Sequence, residues 1–85
     1  MIRSMTYNIR LGIQQGLDAL ASVIRSHDPD IIALQEVGQN WKMGPAGDTT
    51  AALAEILGFE HHRFVPCIDE SPHFYGHALL SKHPI

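Results

Sequence analysis

The sequence predicts an α/β fold, and three observations carry that prediction. Residues 2–9 alternate, with Ile2, Ser4, Thr6 and Asn8 on one face and Arg3, Met5, Tyr7 and Ile9 on the other, in β-favouring company. Residues 30–35 are a short apolar run rich in branched side chains, too short for a helix and suited to a buried strand. Between them Leu17, Leu20, Ala21 and Ile24 fall at i, i+3, i+4 and i+7, the apolar stripe of an amphipathic helix. A strand, a helix and a strand in that order suggest a βαβ unit with both strands covered on their faces.

Each element has its local reason. Gly12 and Gly16 bracket the turn that leads from the first strand into the first helix. Asp28-Pro29 ends that helix, because the residue before a proline is pushed out of the helical region. After the second strand, residues 38–47 read as a loop, with Gly38, Trp41, Pro45 and Gly47 among them. Asp48 or Thr49 then supplies an N-cap for a second helix with Leu53, Ile56 and Leu57 on its apolar face, and Gly58 suits its C-terminal stop. Residues 59–68 are a third strand broken by Pro66, residues 69–73 a polar turn, and residues 75–81 a fourth strand that stops before Pro84.

Composition narrows the class further. With 85 residues and 45% hydrophobic content the chain buries one modest core, and no composition shift, low-complexity tract or repeat points to linkers, disorder or arrays. Net charge is −3, and the six basic residues, Arg3, Arg10, Arg25, Lys42, Arg63 and Lys82, are scattered, so no basic stripe for a nucleic-acid backbone is visible. The single cysteine, Cys67, excludes an internal disulfide and is compatible with the cytoplasm, the expected location. The first residues lack a signal-peptide layout, and the apolar runs are far too short for a transmembrane segment.

Two positions stand out chemically. Glu36 closes a buried strand, where α/β proteins place ligands, and a partly desolvated carboxylate there calls for a cation or several donors. A hard ion such as Mg²⁺ meets that need with oxygen ligands. The plain alternative is a glutamate paired with an arginine or capping the Gly38 loop. Asn8, at the end of the first strand, either ligates the same ion through its carbonyl or fixes the carboxylate by donating from its NH₂; the plain alternative is a strand-end asparagine bonded to its own turn.

Thr6-Tyr7-Asn8-Ile9-Arg10, Ala33-Leu34-Gln35-Glu36-Val37 and the run from Tyr75 to Ile85, Tyr-Gly-His-Ala-Leu-Leu-Ser-Lys-His-Pro-Ile, together resemble the N-terminal part of the endonuclease/exonuclease/phosphatase superfamily. The lead-in Asp28-Pro29-Asp30-Ile31-Ile32 is similar to that family's helix-to-strand connection. The resemblance covers essentially the whole chain. It implies that Asn8 and Glu36 hold a catalytic Mg²⁺, with Mn²⁺ as an alternative, and that residues 1–85 are an incomplete, N-terminal part of a four-layer sandwich of two packed β-sheets flanked by helices. It implies a divalent-metal-dependent hydrolase of phosphate esters. His77 stands where close relatives often carry asparagine, and Tyr75 offers a hydroxyl to a phosphate oxygen, so these two are the candidate catalytic residues. The family's Gly-Asp-x-Asn and Ser-Asp-His stretches, which orient the nucleophile and contact the phosphate, do not occur in residues 1–85.

The expected partner is therefore a phosphate-ester substrate, with nucleic acid left open, and the open strand edges call for association with further polypeptide or with a copy. The isolated chain is expected to be inactive and marginally stable. The alternative is a non-catalytic α/β fragment or binding module that needs a partner chain. A zinc site from His61, His62, Cys67, His73 and His77 is disfavoured, because their spacing lacks the tight ligand pairs such sites use.

Overall fold

The computed structural model describes residues 2–13 and 16–85; Met1, Gln14 and Gln15 lie outside it, and with them the middle of the turn expected between Gly12 and Gly16. Strand β1 (Ser4–Asn8) runs through a single 3-10 turn (Arg10–Gly12) to helix α1 (Gly16–His27) and strand β2 (Ile31–Gln39). Helix α2 (Thr49–Leu57) and strands β3 (His61–Glu70) and β4 (His73–Ser81) follow. The four strands form one sheet in the order β1-β2-β4-β3. β1 and β2 are parallel, as a βαβ unit requires, while β4 pairs antiparallel with both β2 and β3. The chain is thus mixed α/β.

Both helices cover the same face of the sheet. Leu20, Ala21 and Ile24 of α1 and Leu53 and Ala54 of α2 form one buried cluster with Ile32, Leu34 and Val37 of β2 and Ala78 and Leu80 of β4. Met5, Tyr7 and Phe64 pack against it from the strands, and Ser4, Thr6 and Asn8 point the other way, as the period of two demands. The expected cover on both strand faces is therefore corrected to one. Ile31, Ala33 and Leu79 on the opposite face are half-buried, with no helix of the described residues over them.

Helix α2 is capped as expected. The Asp48 side chain accepts the Ala51 N–H over 3.1 Å, and Gly58 closes the helix at φ +76°. At the start of the strands Asp30 is the tie. Its carboxylate accepts the Arg3 backbone N–H over 2.8 Å, and its carbonyl accepts the Lys82 N–H over 2.9 Å; the Arg3 donor first, then the Lys82 and His83 charges, hold its carboxyl below the usual range.

Three boundaries differ from the sequence reading. β2 continues past residue 35 to Gln39 and takes in Gly38, because β4 extends far enough to pair Val37 with Gly76, Gly38 with Tyr75 and Gln39 with Phe74. β3 runs through Pro66 without a break; it is an edge strand, where the missing N–H is tolerated, and the irregularity is confined to a register shift between Pro66 and Ile68. The polar turn shrinks to Ser71 and Pro72, since residues 69, 70 and 73 pair in the β3–β4 hairpin. Among the described residues no helix is long and apolar enough to cross a membrane.

Candidate functional site

Parallel pairing of β1 with β2 sets Asn8 opposite Gln35, so the next residue, Glu36, emerges beside the end of β1. Glu36 does not continue the ladder. Leu34 pairs with Ala78 and Val37 with Gly76, so that Gln35 and Glu36 together oppose the single residue His77. This is a β-bulge, and Glu36 adopts φ +54° within it. A left-handed conformation is disfavoured for a residue with a Cβ, and strain of this kind concentrates at functional positions. The bulge turns the Glu36 side chain out of the alternation while Val37 returns to the core, fully buried.

Two residues converge on the carboxylate. Asn8 Nδ2 donates to Glu36 Oε2 over 2.5 Å, and Asn8 Oδ1 accepts the backbone N–H of Arg10 over 3.0 Å. The Asn8 NH₂ thus meets the carboxylate while its carbonyl is engaged by the chain beyond β1. Ile9, buried below, donates its own N–H to the Gln35 carbonyl over 3.1 Å and locks this chain end to β2. From β4, the half-buried Tyr75 lies near enough to Glu36 to feel its charge. Burial first, then the neighbouring Glu36 charge, hold the Tyr75 phenol above its ordinary value of 10.0.

Trp41 was expected in the loop and packs on Tyr75, with ring centroids 5.4 Å apart and planes tilted by 57°. Its side chain lies over Gly38, where an added Cβ would come within 2.7 Å of the Trp41 Cβ. Asn8, Glu36 and Tyr75 are thus brought together. His77 lies across the bulge from Glu36 in register and is exposed, with no hydrogen bond to the other three among the described residues. The histidines do not gather: His61 pairs with Ser81 at the far end of the sheet, and His73 Nδ1 meets the Asn40 carbonyl at 2.5 Å. Among the described residues no group of three or more His, Cys, Asp or Glu side chains is placed to share an ion, so the zinc alternative has no cluster behind it.

A match to the Endonuclease/Exonuclease/phosphatase family spans residues 5–85. The chain belongs to that family. Family members are in general hydrolytic, of the phosphoesterase and nuclease type. Among solved structures, the endonuclease/exonuclease/phosphatase from Beutenbergia cavernae DSM 12333 is 31% identical, with a TM-score of 0.77 over 98% of this chain and 26% of that one. An endonuclease/exonuclease/phosphatase family protein from Leptotrichia buccalis C-1013-b shares the fold, with 21% identity and a TM-score of 0.70 over 98% of this chain and 38% of that one. The chain therefore spans well under half the length of either relative. No curated protein matches it.

The sequence reading missed the bulge and the Trp41–Tyr75 contact. Gly76, inside the expected fourth strand, was the one sequence signal nearby, since a glycine inside a strand marks a bulge or a close backbone approach, here to Val65.

Proposed function

We propose that this chain carries the cation-holding part of a divalent-metal-dependent phosphoester hydrolase. The observation that supports the reading is the Glu36 carboxylate, raised on a bulge and held by the Asn8 amide. A carboxylate has about four lone-pair directions, so the Asn8 donor leaves the remainder for an ion. One carboxylate in an all-oxygen setting fits Mg²⁺, which takes one or two protein carboxylates and completes its shell with water and substrate phosphate; Mn²⁺ accepts the same donors. Such an ion, when bound, neutralises charge growing on the phosphoryl oxygens during displacement.

The chain's own residues have distinct tasks in this reading. Glu36 is the anionic seat. Asn8 holds the carboxylate in one orientation and anchors that hold to the backbone at Arg10. Tyr75 keeps its proton and donates it either to Glu36 or to a phosphate oxygen that approaches the same carboxylate. The groups that orient the nucleophile and serve the leaving group come from elsewhere in the polypeptide that carries this segment.

The deciding experiment is hydrolysis of bis(p-nitrophenyl) phosphate in Mg²⁺ by that polypeptide and by its Glu36→Ala variant. The expected result is a loss of orders of magnitude in rate with little change in melting temperature, and an active variant would overturn the proposal. The competing reading, a non-catalytic module completed by a partner chain, draws support from the absence, among the described residues, of any group of three or more His, Cys, Asp or Glu side chains placed to hold an ion. Mg²⁺-dependent cleavage that disappears with Glu36 excludes it.

A further inference from the structure

The turn that follows Asn8 is strained. Arg10 and Leu11 stand at φ +49° and +58°, a left-handed conformation that is disfavoured for residues with a Cβ. Gly12 N–H donates to the Ile9 carbonyl over 2.8 Å and Ile13 N–H to the Arg10 carbonyl over 3.2 Å, which closes the turn. Strained backbone persists where its surroundings over-determine it, and here they are the end of β2 and the loop after it. The half-buried Leu11 side chain lies between Gly38 and Gly44: a Cβ built on Gly38 would stand 3.4 Å from Leu11 Cδ2, and one built on Gly44 3.4 Å from Leu11 Cβ. Gly44 also lies so close to the Leu11 carbonyl that any Cβ there would overlap it. The loop that presses on Leu11 is itself pinned. Asn40 N–H donates to the Gly47 carbonyl over 2.9 Å, the His73 ring meets the Asn40 carbonyl, and Gln39 bridges to Asp48.

We infer that Leu11 is a positioning residue for the Asn8–Glu36 pair: keyed between Gly38 and Gly44, it holds the Arg10 N–H where Asn8 Oδ1 accepts it, and so aims the Asn8 amide at the Glu36 carboxylate. The terminal torsion of an asparagine is broad and roughly two-fold, so the backbone bond at Oδ1 decides which end of the amide faces Glu36. With Oδ1 held by Arg10, the NH₂ meets the carboxylate; with the amide reversed, an acceptor would face an acceptor. The orientation of an exposed polar group is thus set by an apolar side chain three positions further along. The consequence for ion affinity rests on the reading of Glu36 as a cation seat, and the consequence for Asn8 does not.

The test is NMR of the polypeptide that carries this segment, with isotope-labelled asparagine, together with Mg²⁺ titration by calorimetry; Asn8→Ala identifies the Asn8 side-chain amide signal. In EDTA the wild-type signal is expected to exchange slowly with solvent. Leu11→Ala is expected to speed that exchange to the rate of a free side-chain amide and to weaken Mg²⁺ binding about three- to tenfold, the worth of one hydrogen bond. Leu11→Met, which conserves volume, is expected to restore both. In an Asn8→Ala background Leu11→Ala should weaken Mg²⁺ binding no further. Gly44→Ala is expected to act as Leu11→Ala does, whereas Gly47→Ala, equally left-handed at φ +81° but with nothing within 4 Å of its Cβ, should lower the melting temperature and leave the Asn8 signal alone. An Asn8 signal unchanged in Leu11→Ala or Gly44→Ala, or one altered as much by Gly47→Ala, overturns the positioning role. A wild-type Asn8 amide that exchanges like a free side chain overturns it outright, whatever the folding of the variants. No Mg²⁺ binding by the wild type, with an Asn8 signal that still depends on Leu11, keeps the positioning role and removes the cation seat.

Discussion

Replacing Asn8 by aspartate converts the hydrogen bond that organises the site into a repulsion. In the wild type Asn8 Nδ2 donates to Glu36 Oε2 over 2.5 Å, and an aspartate of nearly the same shape sets a second anionic oxygen in that place. Two unit charges about 4 Å apart repel by about 4 kcal/mol at an effective dielectric of about 20, and by about 1 kcal/mol in water. Asn8 is exposed and Glu36 half-buried, so the cost lies towards the lower figure, and the loss of a charge-assisted hydrogen bond adds to it. A total of about 2 kcal/mol is a large fraction of a stability of roughly 0.05–0.15 kcal/mol per residue. It lowers the melting temperature of a domain this size by roughly 10 °C. The assay is a circular-dichroism melt of wild type, Asn8→Asp and Asn8→Ala in EDTA, in added NaCl and in Mg²⁺. Salt should recover part of the Asn8→Asp deficit by screening. Mg²⁺ should recover the rest and shift Asn8→Asp by more than it shifts wild type, because two carboxylates then face the ion. Asn8→Ala, which loses the bond without gaining charge, should fall less and show no enhanced Mg²⁺ shift. Equal melting of Asn8→Asp and wild type in EDTA would mean that Asn8 and Glu36 are not held together. A deficit that Mg²⁺ does not relieve would mean that they meet but do not face a cation.

Two further outcomes test the frame around the site. In Gly76→Ala the new Cβ would lie 2.0 Å from the Val65 carbonyl oxygen and 2.9 Å from the Pro66 Cα, both backbone atoms, so the β3–β4 pairing must open. At least about 1–3 kcal/mol should be lost, read as a lower urea midpoint; an unchanged midpoint refutes the close approach. Asp30 titrates below its ordinary 3.8 in the folded state, so its contribution is fully present above the unfolded value and fades as pH falls through the folded one. Asp30→Asn should therefore flatten the fall in stability below about pH 4, and parallel acid profiles of wild type and variant would count against the tie to Arg3 and Lys82.

Asn8 and Glu36 are legible in the sequence because each closes an apolar run, and parallel pairing in a βαβ unit brings the C-terminal ends of its strands side by side. The helices are legible for a related reason: their apolar stripes and their Asp48 and Gly58 stops are local signals that tertiary contact does not override. The bulge is another matter. Residues 32–37 read as an ordinary strand, and neither Gln35 nor Glu36 is a residue type that announces a left-handed conformation. What forces it is β4, a partner far along the chain, which must place Ala78 against Leu34 and Gly76 against Val37 so that both apolar residues of β2 stay in the core. Tyr75 depends on the same event, since without the extra residue the pairing beyond it would slip and send the phenol to the other face. A glycine at position 36 would keep the bulge and remove the strain of φ +54°, at the loss of the carboxylate. For the scaffold alone glycine is the better residue there, because a half-buried acid on a strained backbone costs stability twice. Glutamate is present nonetheless, met by an amide donor from β1. The strain at Glu36 therefore belongs to the site rather than to the sheet, and the bulge is best understood as the device that lifts one carboxylate out of a strand.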